Sequence, residues 1–374
     1  MVLLVGFVAR AGEGAVSITV SRNAVGVSVA LNGAGPYSFV LDLGAPHPVV
    51  DAEVAAFLNF EKLPVPAVEA RGFSGEGVRA DVVRIERFAV GDAMARDVRF
   101  LAMDLGPLTA LFGERVSGVF SGRELGAEAA VDLAGRTLTL RRASEALVVD
   151  DRASNTVSMV EDAGGVPTVS AVLNGRHVRP VVIDTTFGGT VGVSEPALRE
   201  LGLLTADTPR LTLAAPCDGV AMGETQIRLE RVRVGGAEVL EPVCVVLGPG
   251  EAPRLGLGFL RHITATVNFE RGLLRLRPGA KPPLRDPGIV GFGLSPARWD
   301  GGAWRVWVAQ GSPAARAGFA SGDVLEKVDD QSVAPLSYGE LAARLEAQEG
   351  DGVTVTLSRR GGPQTATLVA ERLL

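Results

Sequence analysis

Two aspartates, Asp42 and Asp184, hold matching places in two related stretches, and a carboxylate pair is the chemistry most visible in this chain. The first stretch reads Leu31-Asn32-Gly33, then Phe39-Val40-Leu41-Asp42-Leu43-Gly44. The second reads Leu173-Asn174-Gly175, then Val181-Val182-Ile183-Asp184-Thr185-Thr186. In both, the Asp stands eleven positions after the Leu. One such residue closing an apolar strand would read as a turn former. Two in register suggest carboxylates brought together across a pseudo-two-fold axis. Carboxylates sharing a site cannot both ionise easily, so one keeps a proton while the other stays charged. Such a pair can activate a water and protonate a leaving group.

The elements that must position them recur as well. Ile85-Glu86-Arg87-Phe88-Ala89-Val90-Gly91 is answered by Leu229-Glu230-Arg231-Val232-Arg233-Val234-Gly235. Alternating apolar residues there predict strands with one buried face, closed by Gly turns. Val116-Ser117-Gly118-Val119-Phe120 is followed by Val131-Asp132-Leu133 and Thr137-Leu138-Thr139-Leu140. Arg254-Leu255-Gly256-Leu257-Gly258 is followed by Val267-Asn268-Phe269 and Leu273-Leu274-Arg275-Leu276. Two units of roughly 120 residues fall in the normal domain range, and two copies are too few for a solenoid. They read as two lobes, residues 17–141 and 158–279, joined by a connection at 142–157.

The chain of 374 residues has 47% hydrophobic and 21% charged residues, which is ordinary globular material. Its net charge of −6, without a basic block, argues against a nucleic-acid partner. No stretch reaches the roughly 20 apolar residues of a membrane helix, so no integral span is expected. Residues 1–16 read either as the remnant of a secretory signal, with Ala9-Arg10-Ala11 as its small-x-small end, or as a short first strand. The first alternative places the protein in the periplasm or outside the cell, the second in the cytoplasm. Cys217 and Cys244 could pair in an oxidising compartment; two unpaired buried thiols is the simpler expectation.

His47, His177 and His262 are the only histidines, none in a metal-ligand spacing, and no Cys-x-x-Cys, Gly-x-Ser-x-Gly or Walker loop occurs. Neither a metal nor an organic cofactor is expected. His47, in Ala45-Pro46-His47-Pro48, reads as a surface turn.

The last quarter differs in kind. Arg277 to Pro287 holds four prolines in eleven residues, so a linker is expected at 280–286. Then come Gly291-Phe292-Gly293-Leu294, the strand Trp304-Arg305-Val306-Trp307-Val308, and the run Gly311-Ser312-Pro313-Ala314-Ala315-Arg316-Ala317-Gly318-Phe319. A helix is predicted at about Tyr338 to Gln348, and strands at Val353–Leu357 and Thr365–Val369. This order, over residues 287–374, resembles a PDZ domain of the bacterial protease-associated kind. The resemblance implies binding of extended peptides as an added strand, often at a free C-terminus. It also implies that the Gly291, Phe292, Gly293 and Leu294 loop receives the terminal carboxylate on its backbone amides.

Strand, Asp-Thr-Gly, flap hairpin, then apolar-apolar-Gly and a closing strand is the layout of retropepsin-like aspartic proteases, and residues 17–279 resemble two such lobes fused. The whole resembles the bacterial proteins that join this protease to a PDZ domain. The expected fold is mostly β: two retropepsin-like (acid-protease) β-barrel lobes in tandem plus a PDZ domain. By this resemblance Asp42 and Asp184 are the catalytic pair of an aspartic-type endopeptidase that takes polypeptide substrates or protein C-termini. The following residue normally sends a hydroxyl across the lobe interface; Thr185 keeps it and Leu43 does not. The third is normally Gly, whose backbone approaches the carboxylate; Gly44 keeps it and Thr186 does not. Leu43 is expected to remove a hydrogen bond worth about 0.5–1.5 kcal/mol and to leave Thr185 seeking another partner. Thr186 is expected to crowd the site. The flaps fall at Phe73, Ser74 and Gly75 and near Gly219. The competing expectation is a catalytically degenerate, protease-like protein that binds peptides without cutting them.

Overall fold

The computed structural model describes residues 14–21, 24–71, 77–112, 115–142, 155–217, 220–279, 283–298, 302–359 and 362–374. Among these the chain is mostly β, with retropepsin-like lobes and a PDZ domain.

Each lobe grows from an Asn-Gly hairpin. Val25–Leu31 and Ala34–Leu41 pair antiparallel around Asn32 and Gly33, whose φ values are 52° and 85°. Pro167–Leu173 and Arg176–Ile183 pair around Asn174 and Gly175, at 45° and 82°. Two successive positive φ values make the primed turn whose twist matches that of the strands. The Asn32 and Asn174 carboxamide oxygens accept the backbone N–H groups of Arg87 and Arg231, tying each hairpin to a later strand. Alternation does the rest: Val25, Val27, Val29 and Leu31 point into the core.

The hairpin's second strand ends at the aspartate, and a late strand locks it. Gly118–Phe120 inserts between Ala34–Leu41, which it meets in parallel, and Val49–Asp51, which it meets antiparallel. Arg254–Leu255 inserts in the same way between Arg176–Ile183 and Val191–Ser194. In the first lobe, Phe39 and Phe120 belong to a fully buried aromatic cluster with Phe88 and Phe100, and the Phe88 and Phe100 rings meet edge-on at 5.1 Å. That cluster pins both strands flanking Asp42.

A six-stranded sheet joins the lobes, in the order Ala15–Ser17, Thr137–Arg141, Glu128–Asp132, Ile263–Asn268, Leu273–Pro278, Thr156–Ser158. At its middle, Ala130 lies opposite Thr266. Two residues further on in each strand, Asp132 and Asn268 make the same turn, accepting the N–H of Gly135 and of Arg271, each at 2.9 Å. Ala130 and Thr266 therefore hold corresponding positions and face each other across a local two-fold axis. Arg123 stacks over the Phe269 ring at 5.4 Å, adding a cation–π contact across the join.

The PDZ domain is a sheet of Leu294–Arg298, Trp304–Val308, Val324–Val328, Gly352–Arg359 and Gly362–Val369 over its own core, including Phe292, Trp304, Val306, Leu325 and Leu341. Its helix spans Tyr338–Leu345, opened by a Ser337/Glu340 capping box. It stops before Gln348 because Glu346 turns extended, with ψ 130°. The proline-rich stretch is less free than its composition implies. Leu284–Arg285 joins the second lobe as an edge strand beside Ala237–Leu240. The Asp286 carboxylate then accepts the Thr190 hydroxyl and the N–H groups of Val243 and Gly288. Leu211 and Leu213 of the second-lobe hairpin pack with Ala309, Ile289 and Leu373 of the PDZ side.

No described helix is long and apolar enough to cross a membrane.

Candidate active site

Asp42 and Asp184 sit at the ends of equivalent strands, each with its N–H on the inserted strand: Asp42 on the Phe120 carbonyl at 2.8 Å, Asp184 on the Leu255 carbonyl at 2.9 Å. Both are half-buried, within reach of solvent. The two loops interlock. Thr185, fully buried, donates its hydroxyl to the Leu41 carbonyl at 2.7 Å and accepts the Leu43 N–H at 3.0 Å. Gly44 packs so closely that a Cβ there would lie 3.2 Å from the Ile183 carbonyl and 3.3 Å from Asp42 Oδ1. One hydroxyl and one missing side chain thus clamp the loops carrying the carboxyls.

The two motif departures behave differently from the sequence expectation. Thr185 is not left seeking a partner, because its partners are backbone groups, which Leu43 supplies as well as any residue. Leu43 itself is 1% exposed and joins the apolar core. Thr186 does more than crowd. Its N–H reaches Asp184 Oδ1 at 2.9 Å, as the Gly44 N–H reaches Asp42 Oδ1, and its hydroxyl adds a second bond at 2.7 Å.

Sequence reasoning missed Arg254. Its Nη1 lies 3.3 Å from Asp184 Oδ2 and its Nη2 3.2 Å from Glu251, and the guanidinium lies over the Phe187 ring at 5.9 Å. The signal was present: Arg254-Leu255-Gly256 puts a charge at the first apolar place of the apolar-apolar-Gly motif.

The electrostatics of the pair are lopsided. Burial, and then the charge of Asp184, push Asp42 up from 3.8 to about 7, against the Gly44 N–H and Arg254, which pull it down. Below about pH 7 Asp42 therefore keeps its proton. Such a site can hold a water between an acid and a base.

The other candidates are placed as follows. Phe73, Ser74, Gly75 and Gly219 lie outside the described residues, as does most of the 142–157 connection and the apolar N-terminal stretch. The arms beside the two flap tips are hairpins, Val68–Arg71 with Gly77–Val90 and Leu211–Cys217 with Val220–Arg228. His47 is exposed. Cys244 is a free, buried thiol whose burial pushes it up to about 12, so it is inert at neutral pH. No group of three metal-ligating side chains occurs among the described residues. In the PDZ loop, Phe292 is buried, and Gly293 has φ 75° with Ser312 where a Cβ would be. The Phe292 and Gly293 carbonyls accept the Ala314 and Ala309 N–H groups, which fixes the loop beside the edge strand Leu294–Arg298.

Comparison with known proteins agrees with this architecture. Residues 27–119 match the aspartyl protease family and residues 304–359 the PDZ domain family. An aspartyl protease domain therefore stands near the N-terminus and a PDZ domain at the C-terminus. Over 106 residues the chain is 34% identical to carboxyl-terminal-processing peptidase 2, chloroplastic, of Arabidopsis thaliana, an alignment covering 26% of this chain and 20% of that one. The chain thus spans about a fifth of that relative's length. Among solved structures, a retropepsin-like aspartic protease from Rickettsia conorii is 18% identical, with a TM-score of 0.26, over 32% of this chain and 87% of that one. Soybean basic 7S globulin is 12% identical, with a TM-score of 0.42, over 74% and 97%.

Proposed function

We propose that the protein is an aspartic-type endopeptidase whose PDZ domain recruits polypeptide chains, in part by their free C-termini. One observation carries this reading: Thr185 clamps the Asp42 loop to the Asp184 loop across the lobe interface. That clamp has no purpose for two unrelated turn aspartates, but it is what a shared-proton carboxyl pair needs. Water held by the pair attacks the peptide carbonyl; one carboxylate takes its proton while the other protonates the carbonyl oxygen. The PDZ domain raises the local concentration of substrate at the cleft, and its seating on the second lobe's hairpin favours that role. An added peptide strand would lie between the edge strand Leu294–Arg298 and the helix Tyr338–Leu345, beside the second lobe's hairpin strand Leu211–Cys217.

The second reading is a peptide-binding protein that no longer cuts. Arg254 favours it, because an ion pair on Asp184 competes with the water for that carboxylate. Cleavage of casein or a peptide library separates the two. The enzyme reading expects cleavage that Asp42→Asn abolishes. Binding without cleavage by the wild type at every pH from 3 to 8 would leave only the second reading.

A further inference from the structure

The two carboxyls occupy equivalent strand ends but not equivalent surroundings. Asp184 accepts three donors: the Thr186 N–H, the Thr186 hydroxyl and the Arg254 guanidinium. The side chain of Asp42 accepts the Gly44 N–H. The difference is written in two positions. Thr186 stands where the first lobe has Gly44. Arg254 stands where it has Val119, since Phe120 and Leu255 are the matching residues that receive the aspartate N–H groups. Val119 is buried among apolar side chains of the first lobe. Among the described residues a cation therefore lies on one side of the axis only.

Arg254 is also held. Glu251 and the Ala252 carbonyl fix its guanidinium from the loop before it, and the Phe187 ring lies beneath it. Among the described residues, the charged groups around the pair are Arg254 from the inserted strand, Glu251 behind it, and the two aspartates themselves. Hydrogen bonds and a cation at a carboxylate favour its charged form. The carboxyl with fewer donors among the described residues, beside a charged neighbour, is left with the proton.

We propose that Arg254 is a positioning residue that divides the labour of the pair, holding Asp184 as the base and leaving Asp42 as the acid. This rests on the endopeptidase reading for its chemistry, but not for its measurement. In the first step the water oxygen bonds to the carbonyl carbon, a water proton passes to Asp184, and the Asp42 proton passes to the carbonyl oxygen. In the second, the C–N bond breaks, the Asp184 proton goes to the leaving nitrogen, and a hydroxyl proton of the gem-diol returns to Asp42. The starting protonation is restored, with no outside proton needed.

The test is a titration of the full chain carrying 13C-carboxyl-labelled aspartate, with the two signals identified by their loss in Asp42→Asn and Asp184→Asn. Asp42 is expected to be the later of the two to lose its proton. In Arg254→Gln the pair's transitions move up by about one pH unit, the usual effect of one neighbouring charge, and the acid limb of the cleavage profile moves with them. Arg254→Lys, which keeps the charge, should restore most of the difference. The proposal is overturned if Asp184 keeps its proton longer than Asp42. It is overturned equally if Arg254→Gln, shown to be folded by circular dichroism, leaves both transitions in place. A rise in turnover with unmoved transitions would also overturn it, by making Arg254 a plug. Absence of cleavage in every variant would sink the endopeptidase reading, while the order of titration would still decide this one.

Discussion

Thr185 bonds the backbone of Leu41 and Leu43, the residues on either side of Asp42, so a single hydroxyl from the second lobe brackets the carboxyl of the first. The bracket works through N–H and C=O groups, and so tolerates a leucine in the place where a second hydroxyl is usual. Thr185→Val should orphan a buried N–H and a buried C=O, lowering stability by on the order of 1–3 kcal/mol. Thr185→Ser should lose far less. Urea unfolding of the two variants checks this, and a smaller loss in Thr185→Val than in Thr185→Ser would show that the methyl matters more than the hydroxyl.

Thr186→Gly would restore the familiar triplet, yet it removes a hydroxyl that reaches Asp184 at 2.7 Å. We expect turnover to fall, by about tenfold for one lost charge-assisted bond of about 1.4 kcal/mol. A rise on making this change would mean that the threonine is a steric obstacle.

The pH dependence follows from Asp42, raised to about 7. Cleavage requires its proton, so activity should hold through mildly acid pH and fall tenfold per unit above about 7. Stability moves in the same direction. Between 3.8 and about 7 the folded state binds the Asp42 proton and the unfolded state has lost it. Stability from this group is therefore complete below 3.8 and declines as pH rises through 7. Asp42→Asn should remove that decline; the comparison is denaturant unfolding at pH 4 and pH 8.

In the PDZ sheet, the Val306 and Val308 N–H groups point to Asp323 and Ser321, away from Leu294–Arg298. Their cross-strand partners Pro296 and Leu294 therefore turn their own backbone groups to the outer edge of the sheet, where Pro296 is buried beside the second lobe's hairpin strand Leu211–Cys217. Pro296 has no N–H, so an added peptide strand lacks one donor in the middle. Pro296→Ala should tighten binding of a free C-terminal peptide to the full chain two- to tenfold, the worth of one net hydrogen bond. Amidating that peptide should weaken binding in both forms. Calorimetry reads each effect, and indifference to amidation would mean that the loop reads internal segments.

The lobes and the PDZ domain were legible because their signals are local and repeated: Asn-Gly turns, alternating valines, and an Asp closing each strand. The PDZ run around Gly311 to Phe319 is equally local. The site was legible in its residues but not in its bonds. Thr185 acts on backbone groups 142 and 144 positions away, and no side-chain pattern announces a backbone partner. Arg254 lies 70 positions from Asp184, and only the inserted strand brings them together. The proline-rich segment misled for the converse reason. Proline content shows what cannot be a central strand, but it does not show that Leu284–Arg285 would find an edge or that Asp286 would find Thr190.

Ala130 facing Thr266 across the central sheet has a consequence for the first lobe by itself. The Glu128–Asp132 strand, deprived of Ile263–Asn268, would keep an open edge whose natural complement is antiparallel and centred on its own middle residue. Two copies of residues 17–141 could meet through it with Ala130 opposite Ala130, an isologous contact of the kind that builds closed dimers. Such a dimer would be truly symmetric: two Asp42 loops, two Val119 side chains where one Arg254 now stands, and no Thr185 in either. It would possess the carboxyls without the bracket or the cation, and so would separate what tandem fusion adds, which is freedom for the two halves to diverge, from what the single lobe already contains.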